Sequence, residues 1–224
     1  LKKIGPFEYK SSLPFSTLFN HTKWIFVKEF LLNNLARIEI FSLTYFVTSG
    51  QVAEEERAYF SGAFTLCFVL PIITNSLTKV LLPEVATLTN STTLKDYLRK
   101  IKKSLKFSIP VALIFYIAIY FAVHIFFRSK YQNSLPLFPV IISATLISFY
   151  TNNISLIFYR EGKVKFIGIL SIIQFLVGFT GCITLIPVYG AMGAVISLLI
   201  VRVVGFILVL LKIQKSLYGA TEFG

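Results

Sequence analysis

The sequence predicts an all-α integral membrane protein whose 224 residues form a six-helix transmembrane bundle. Three observations carry this. The chain is 55% hydrophobic and 14% charged, with a mean hydropathy of +0.75, whereas a soluble domain covers itself with roughly 25% charged residues. The apolar residues come in runs of the roughly 20 needed to cross the hydrocarbon. The basic residues alternate between dense and sparse connections, which is the pattern left by insertion into a membrane.

Taken in order, the predicted spans are 24–48, 58–82, 105–127, 135–159, 164–187 and 190–212. The first is the least apolar, because it holds Lys28, Glu29, Arg37 and Glu39. The second carries Lys79 as its single charge and Pro71 in its interior. From Phe107 onward the third has no formal charge, nor has the fourth; Pro110 and Pro139 sit early in them. The last two are rich in small residues, Gly178 and Gly181 in the fifth and Gly190, Gly193, Ala194, Ser197 and Gly205 in the sixth, which lets helix backbones approach closely in lipid. Residues 1–23 are predicted to be a cytoplasmic connecting segment and 213–224 a cytoplasmic tail. The chain opens with Leu1 and without a signal peptide, so a fragment from the C-terminal part of a longer membrane protein is expected.

Lys and Arg number 22 against 10 Asp and Glu. Fifteen of those 22 fall on one side of the alternating topology, and only Arg57, Arg128 and Lys130 on the other. The excess is therefore a topology signal that places both chain ends in the cytosol, and it excludes nucleic acid as a partner. Between Pro83 and Ser104, Leu94, Leu98 and Ile101 recur at helical spacing among Lys95, Arg99, Lys100, Lys102 and Lys103. This predicts an amphipathic helix lying flat among lipid headgroups, with two readings: a cytoplasmic anchor that fixes topology, or a device that attracts an anionic lipid substrate.

Charges at membrane depth mark the candidate site, because each costs several kcal/mol unless it meets water or a partner. Arg202 lies about 15 Å from either end of its span, too deep to snorkel. Along the first span, Glu29, Asn33, Arg37, Thr44 and Thr48 share about a third of the circumference. Two readings stand: one wall of an aqueous pathway, or an internal salt-bridge network pairing Glu29 with Arg37 or Glu39 with Arg202. A gentler polar stripe, Ser148, Asn152, Ser155 and Tyr159, runs along the fourth span, and Lys79 reads as a snorkelling anchor. His21 and His124 fall at opposite faces, Cys67 and Cys182 read as packing residues, and no phosphate-binding glycine loop is present. Neither a metal site, a cofactor nor a hydrolytic centre is expected.

Several linked patterns then resemble a known family. Arg37-Ile38-Glu39 is followed by Ala58-Tyr59-Phe60-Ser61-Gly62-Ala63, by Leu81-Leu82-Pro83 at the end of the second span, and by Tyr131 after the third. Pro187-Val188-Tyr189-Gly190-Ala191-Met192-Gly193-Ala194 joins the last two spans. In this order they resemble the C-terminal half of a polysaccharide flippase, an O-antigen or capsule repeat-unit translocase of the multidrug/oligosaccharidyl-lipid/polysaccharide exporter superfamily. The resemblance implies one half of a two-bundle transporter in the bacterial cytoplasmic membrane, partnered by its N-terminal half. It implies a lipid-linked oligosaccharide, an undecaprenyl-pyrophosphate glycan, as cargo, moved by alternating access without covalent chemistry. It then points to Arg37, Arg202 and Asn33 as substrate-binding residues and to Glu29 and Glu39 as ion-coupling residues; the fifth span offers only Gln174 where an acid is expected. A multidrug exporter of the same superfamily and a non-transporting structural subunit of a glycan-assembly complex are the alternatives.

Overall fold

A computed structural model describes residues 15–86 and 91–219, all in helices and short connections without a strand. Most of the expected connecting segment 1–23 and the end of the expected tail, residues 220–224, lie outside the described residues. Helix α1 (Phe15–Thr48) starts well before residue 24 and is 34 residues long, roughly 51 Å at 1.5 Å per residue. Its polar residues are partly consumed internally: the Thr44 and Thr48 hydroxyls donate to the carbonyls of Ile40 and Thr44 at 2.8 and 2.9 Å.

The second predicted span is two helices, α2 (Glu54–Cys67) and α3 (Val69–Ala86). Pro71 is the reason for the break, since its ring collides with the carbonyl four residues back, that of Cys67. Phe68 absorbs the change, its N–H donating instead to Thr65 at 3.2 Å. Helix α4 (Ser91–Ala122) is unbroken through Pro110 and continues into a π turn (Val123–Phe127) and a 3-10 segment (Arg128–Ser134). This corrects the expectation of a separate flat helix. The basic stretch is the first part of the spanning helix, and its apolar side meets protein rather than lipid. Tyr97 and Ile101 are buried, and the Tyr97 hydroxyl donates to the Asn153 carbonyl at 3.1 Å.

Helix α5 (Leu137–Arg160) is the most enclosed element, with fourteen buried residues. Helix α6 (Val164–Gly219) has 56 residues, about 84 Å if straight and far too long for one crossing. It doubles back at Gly190, whose φ of 56° and ψ of −131° only glycine adopts readily. The two arms, 164–189 and 191–219, pack through their small residues: Gly178 lies against Val201 and Gly181 against Ser197, and the Ser197 hydroxyl donates to the Gly178 carbonyl at 3.1 Å. The turn is fastened from outside, Glu56 at the start of α2 accepting a hydrogen bond from the Ala191 N–H at 2.8 Å.

Four stretches are long and apolar enough to cross a membrane: Glu54–Leu81, Asp96–Ile125, Tyr131–Arg160 and Val164–Gln214. Helix α1, which carries Lys23, Lys28, Glu29, Arg37 and Glu39, is not among them. Two apolar clusters hold the bundle, one around Phe60, Phe138 and Ile186 near the Gly190 turn, the other around Phe158, Tyr97 and Val209 at the far end. Outside, large apolar residues such as Phe41, Val80 and Ile114 are exposed on nearly every element. A surface of that kind belongs in lipid.

Candidate functional site

A cavity of about 580 Å³ opens between α1, the α2–α3 pair, α5 and both arms of α6, within the usual range of small-ligand sites. The fold makes it in two ways. The break at Phe68 bends α2–α3 so that Phe64, Cys67, Pro71, Asn75, Thr78 and Lys79 all border it. The Gly190 reversal returns the second arm of α6 alongside the first, which brings Arg202 level with Gln174, the Gln174 side-chain amide reaching toward the Val201 carbonyl at 3.4 Å.

Arg202 stands twelve residues from the Gly190 turn and ten from Lys212, about 18 and 15 Å along the helix. It borders the cavity and has neither a hydrogen-bond nor an ion-pair partner among the described residues. Glu39 of α1 interacts with it electrostatically, but their charged atoms are not within the 4.0 Å of an ion pair. Glu39 is 1% exposed and both its carboxyl oxygens lack hydrogen-bond partners. A buried carboxyl without hydrogen-bond partners, beside a partly exposed guanidinium that it does not pair with, is a high-energy arrangement that selection for stability alone does not favour.

Among the described residues, the charged ones lining the cavity are Lys28, Lys79, Arg202 and a single acid, Glu29. Glu29 is already matched to Lys28 at 2.7 Å, and the Lys28 ammonium also lies 5.6 Å from the centre of the Tyr159 ring. Lys79 and Arg202 are left as cations without a counter-charge among the described residues of the cavity. The remaining lining mixes apolar residues such as Leu32, Phe64, Ile141 and Leu198 with neutral hydrogen-bonding ones, Thr74, Asn75 and Thr78 on α3 and Ser148, Asn152 and Ser155 on α5. Chemically, the site suits an anion with hydroxyl groups attached.

Of the residues expected to form the site, Arg202, Asn33 and Glu29 line this cavity, and Glu39 lies beside it within the field of Arg202. Arg37 does not join them: it is exposed and is not part of the lining. The expected ion pair between Glu29 and Arg37 is not formed, Glu29 having taken Lys28 instead. The fourth-span stripe, Ser148, Asn152, Ser155 and Tyr159, lines the cavity along its length. Lys79, read as a snorkelling anchor, borders the same space. Asn75 and Thr78 were missed, although Thr74, Asn75, Thr78 and Lys79 recur at one-turn spacing and were readable as a polar face. Cys67 borders the cavity, Cys182 is buried away from it, and both are free thiols.

No protein family, curated protein or solved structure matches this chain.

Proposed function

We propose that this chain is one half of a two-bundle membrane carrier that moves an anionic lipid-linked oligosaccharide, of the undecaprenyl-pyrophosphate type, across the bacterial cytoplasmic membrane by alternating access. The reading rests on one observation, a guanidinium and an ammonium, both unpaired among the described residues, bordering a cavity with hydrogen-bonding side chains between apolar-faced helices. A pyrophosphate cannot cross hydrocarbon without neutralising contacts, and a guanidinium fits phosphate oxygens by paired, charge-assisted hydrogen bonds. The neutral stripe of α5 then faces sugar hydroxyls, while the prenyl chain stays in lipid.

In this proposal the chain crosses six times: α1, the α2–α3 pair, α4, α5 and the two arms of α6, with both ends cytoplasmic. Arg202 and Asn33 bind the headgroup, and Arg37, outside the cavity, is assigned to the face met by the N-terminal half. Glu29 is engaged with Lys28, so ion coupling falls to Glu39, where a bound proton or cation changes how strongly Arg202 is held. The net positive lining supports an anionic cargo over the cationic drugs of a multidrug exporter. The unsatisfied Arg202 supports a carrier over a purely structural subunit, which calls for a dry and fully paired stripe.

The test is Arg202→Gln in the full-length carrier, expressed in a strain lacking its own translocase, with surface glycan measured against the amount of folded protein in the membrane. Losing a bidentate charged contact of about 1.5–3 kcal/mol predicts a loss of roughly 10- to 100-fold in export. Unchanged export at equal protein overturns the assignment.

A further inference from the structure

Helix α4 packs along only one of its sides, and the side that it leaves free changes character abruptly. Its packed side, Tyr97, Ile101, Ala112 and Ile119, is buried along the helix, chiefly against α5. At 100° per residue these positions fall within an arc of about 60°. Opposite them lie Lys102, Lys103 and Lys106, all exposed and none in an ion pair among the described residues. The nearby Arg99 differs, being paired with Asp96 at 3.4 Å.

Directly below the three lysines, on the same face of the same unbroken helix, come Leu113, Ile114, Ile117 and Phe121, each between 45% and 66% exposed. No acidic residue lies between Lys102 and Phe121. From Lys106, the deepest of the three, to Leu113 is seven residues and to Ile117 eleven, about 10 and 16 Å along the helix, which is within the depth of one leaflet's hydrocarbon. One face therefore presents three cations at the height of a headgroup and an apolar ladder at the height of its acyl chains.

We infer that this outward face of α4 is a binding site for an anionic phospholipid, its phosphate held by Lys102, Lys103 and Lys106 and its acyl chains lying on Leu113, Ile114 and Ile117. The occupant is a lipid rather than a protein because no acid lies between Lys102 and Phe121 to set the register of a partner helix, and because the apolar residues nearest the lysines, Leu113, Ile114 and Ile117, lie within about one leaflet's depth of Lys106. It is a bound lipid rather than a free anion because phosphate alone leaves the ladder uncovered. The site stands apart from the cavity, whose charged lining residues are on other helices, and it holds whatever the cavity carries.

The test uses the whole chain in vesicles of mixed phosphatidylglycerol and phosphatidylcholine, with Trp24→Phe and Leu113→Trp as a fluorescent reporter and one lipid at a time brominated on its acyl chains. Brominated phosphatidylglycerol is expected to quench the reporter preferentially, with each lysine contributing up to about fivefold. Lys→Gln at 102, 103 and 106 together should bring the two lipids to equal quenching, and Lys→Arg at the same positions should keep the preference. On the unsubstituted lysines, raising salt should weaken the preference, and inorganic phosphate should not compete beyond its ionic strength. Equal quenching by the two lipids with the lysines intact, a preference that survives the triple Gln change, or specific competition by phosphate would each overturn the inference.

Discussion

Gly190→Ala tests the hairpin that brings Arg202 to the cavity. At φ 56° and ψ −131° an L-residue is strained by about 1–3 kcal/mol. A Cβ there falls 2.7 Å from Glu56 Oε2 and 3.0 Å from Glu56 Cδ, so the carboxylate must leave the Ala191 N–H that it holds at 2.8 Å. Losing a hydrogen bond to a charged acceptor adds about 1.5–3 kcal/mol. Together the change costs about 2.5–6 kcal/mol, a fall on the order of 5–20 °C in Tm for a chain of this size. Thermal unfolding of the purified protein in micelles measures it. Glu56→Gln, which keeps an acceptor but removes the charge, should cost about 1 kcal/mol, and the two changes should add to less than their sum because the first already dislodges Glu56. A Gly190→Ala protein melting within 2 °C of the parent, or strict additivity with Glu56→Gln, would refute this reading of the turn (a threshold of about 1 kcal/mol at this size).

Tyr97→Phe removes the buried hydroxyl that joins α4 to the Asn153 carbonyl, and should lower stability by about 1 kcal/mol in the same unfolding measurement; no change would mean that this hydrogen bond adds nothing net to an α4–α5 contact that Tyr150 and Ser108 also join at 2.9 Å. Glu39→Gln removes the negative charge beside Arg202. The cavity then becomes more positive, and a short-chain prenyl pyrophosphate should bind severalfold more tightly at equilibrium, an effect bounded by about 4 kcal/mol for charges beyond 4 Å. Weaker binding would mean that Glu39 positions Arg202 rather than opposing the ligand.

The apolar runs and prolines made most of the helices legible in the sequence. The break in the second span follows from Pro71, and the reversal from Gly190 within Pro187–Ala194. Direction was less legible than depth. Arg37 and Glu39 lie at similar depth but two residues apart, about 200° around the helix, so only one of them turns toward α6. The chosen arc through Glu29, Asn33 and Arg37 ran past the edge of the packed face, which Leu35, Glu39 and Leu43 define by their burial. The amphipathic pattern of α4 fixed its two faces but not their partners. An apolar face reads alike whether it meets lipid or protein, and only tertiary contact assigns Tyr97 and Ile101 to α5. The polar face of α3 was hidden by the high hydropathy of the residues around it.

The wetness of the cavity beside Arg202 is tested most directly by thiol accessibility. In a Cys67→Ala, Cys182→Ala background, single cysteines at Asn33, on the cavity wall, and at Phe41, exposed on the outer side of α1, are treated in membranes with a membrane-impermeant maleimide. A thiol ionises and reacts only where water reaches it. Asn33→Cys is predicted to label and Phe41→Cys to resist. A Cys at Asn33 that stays unlabelled while the protein remains folded, or equal labelling at both positions, would contradict an aqueous anion site at this depth.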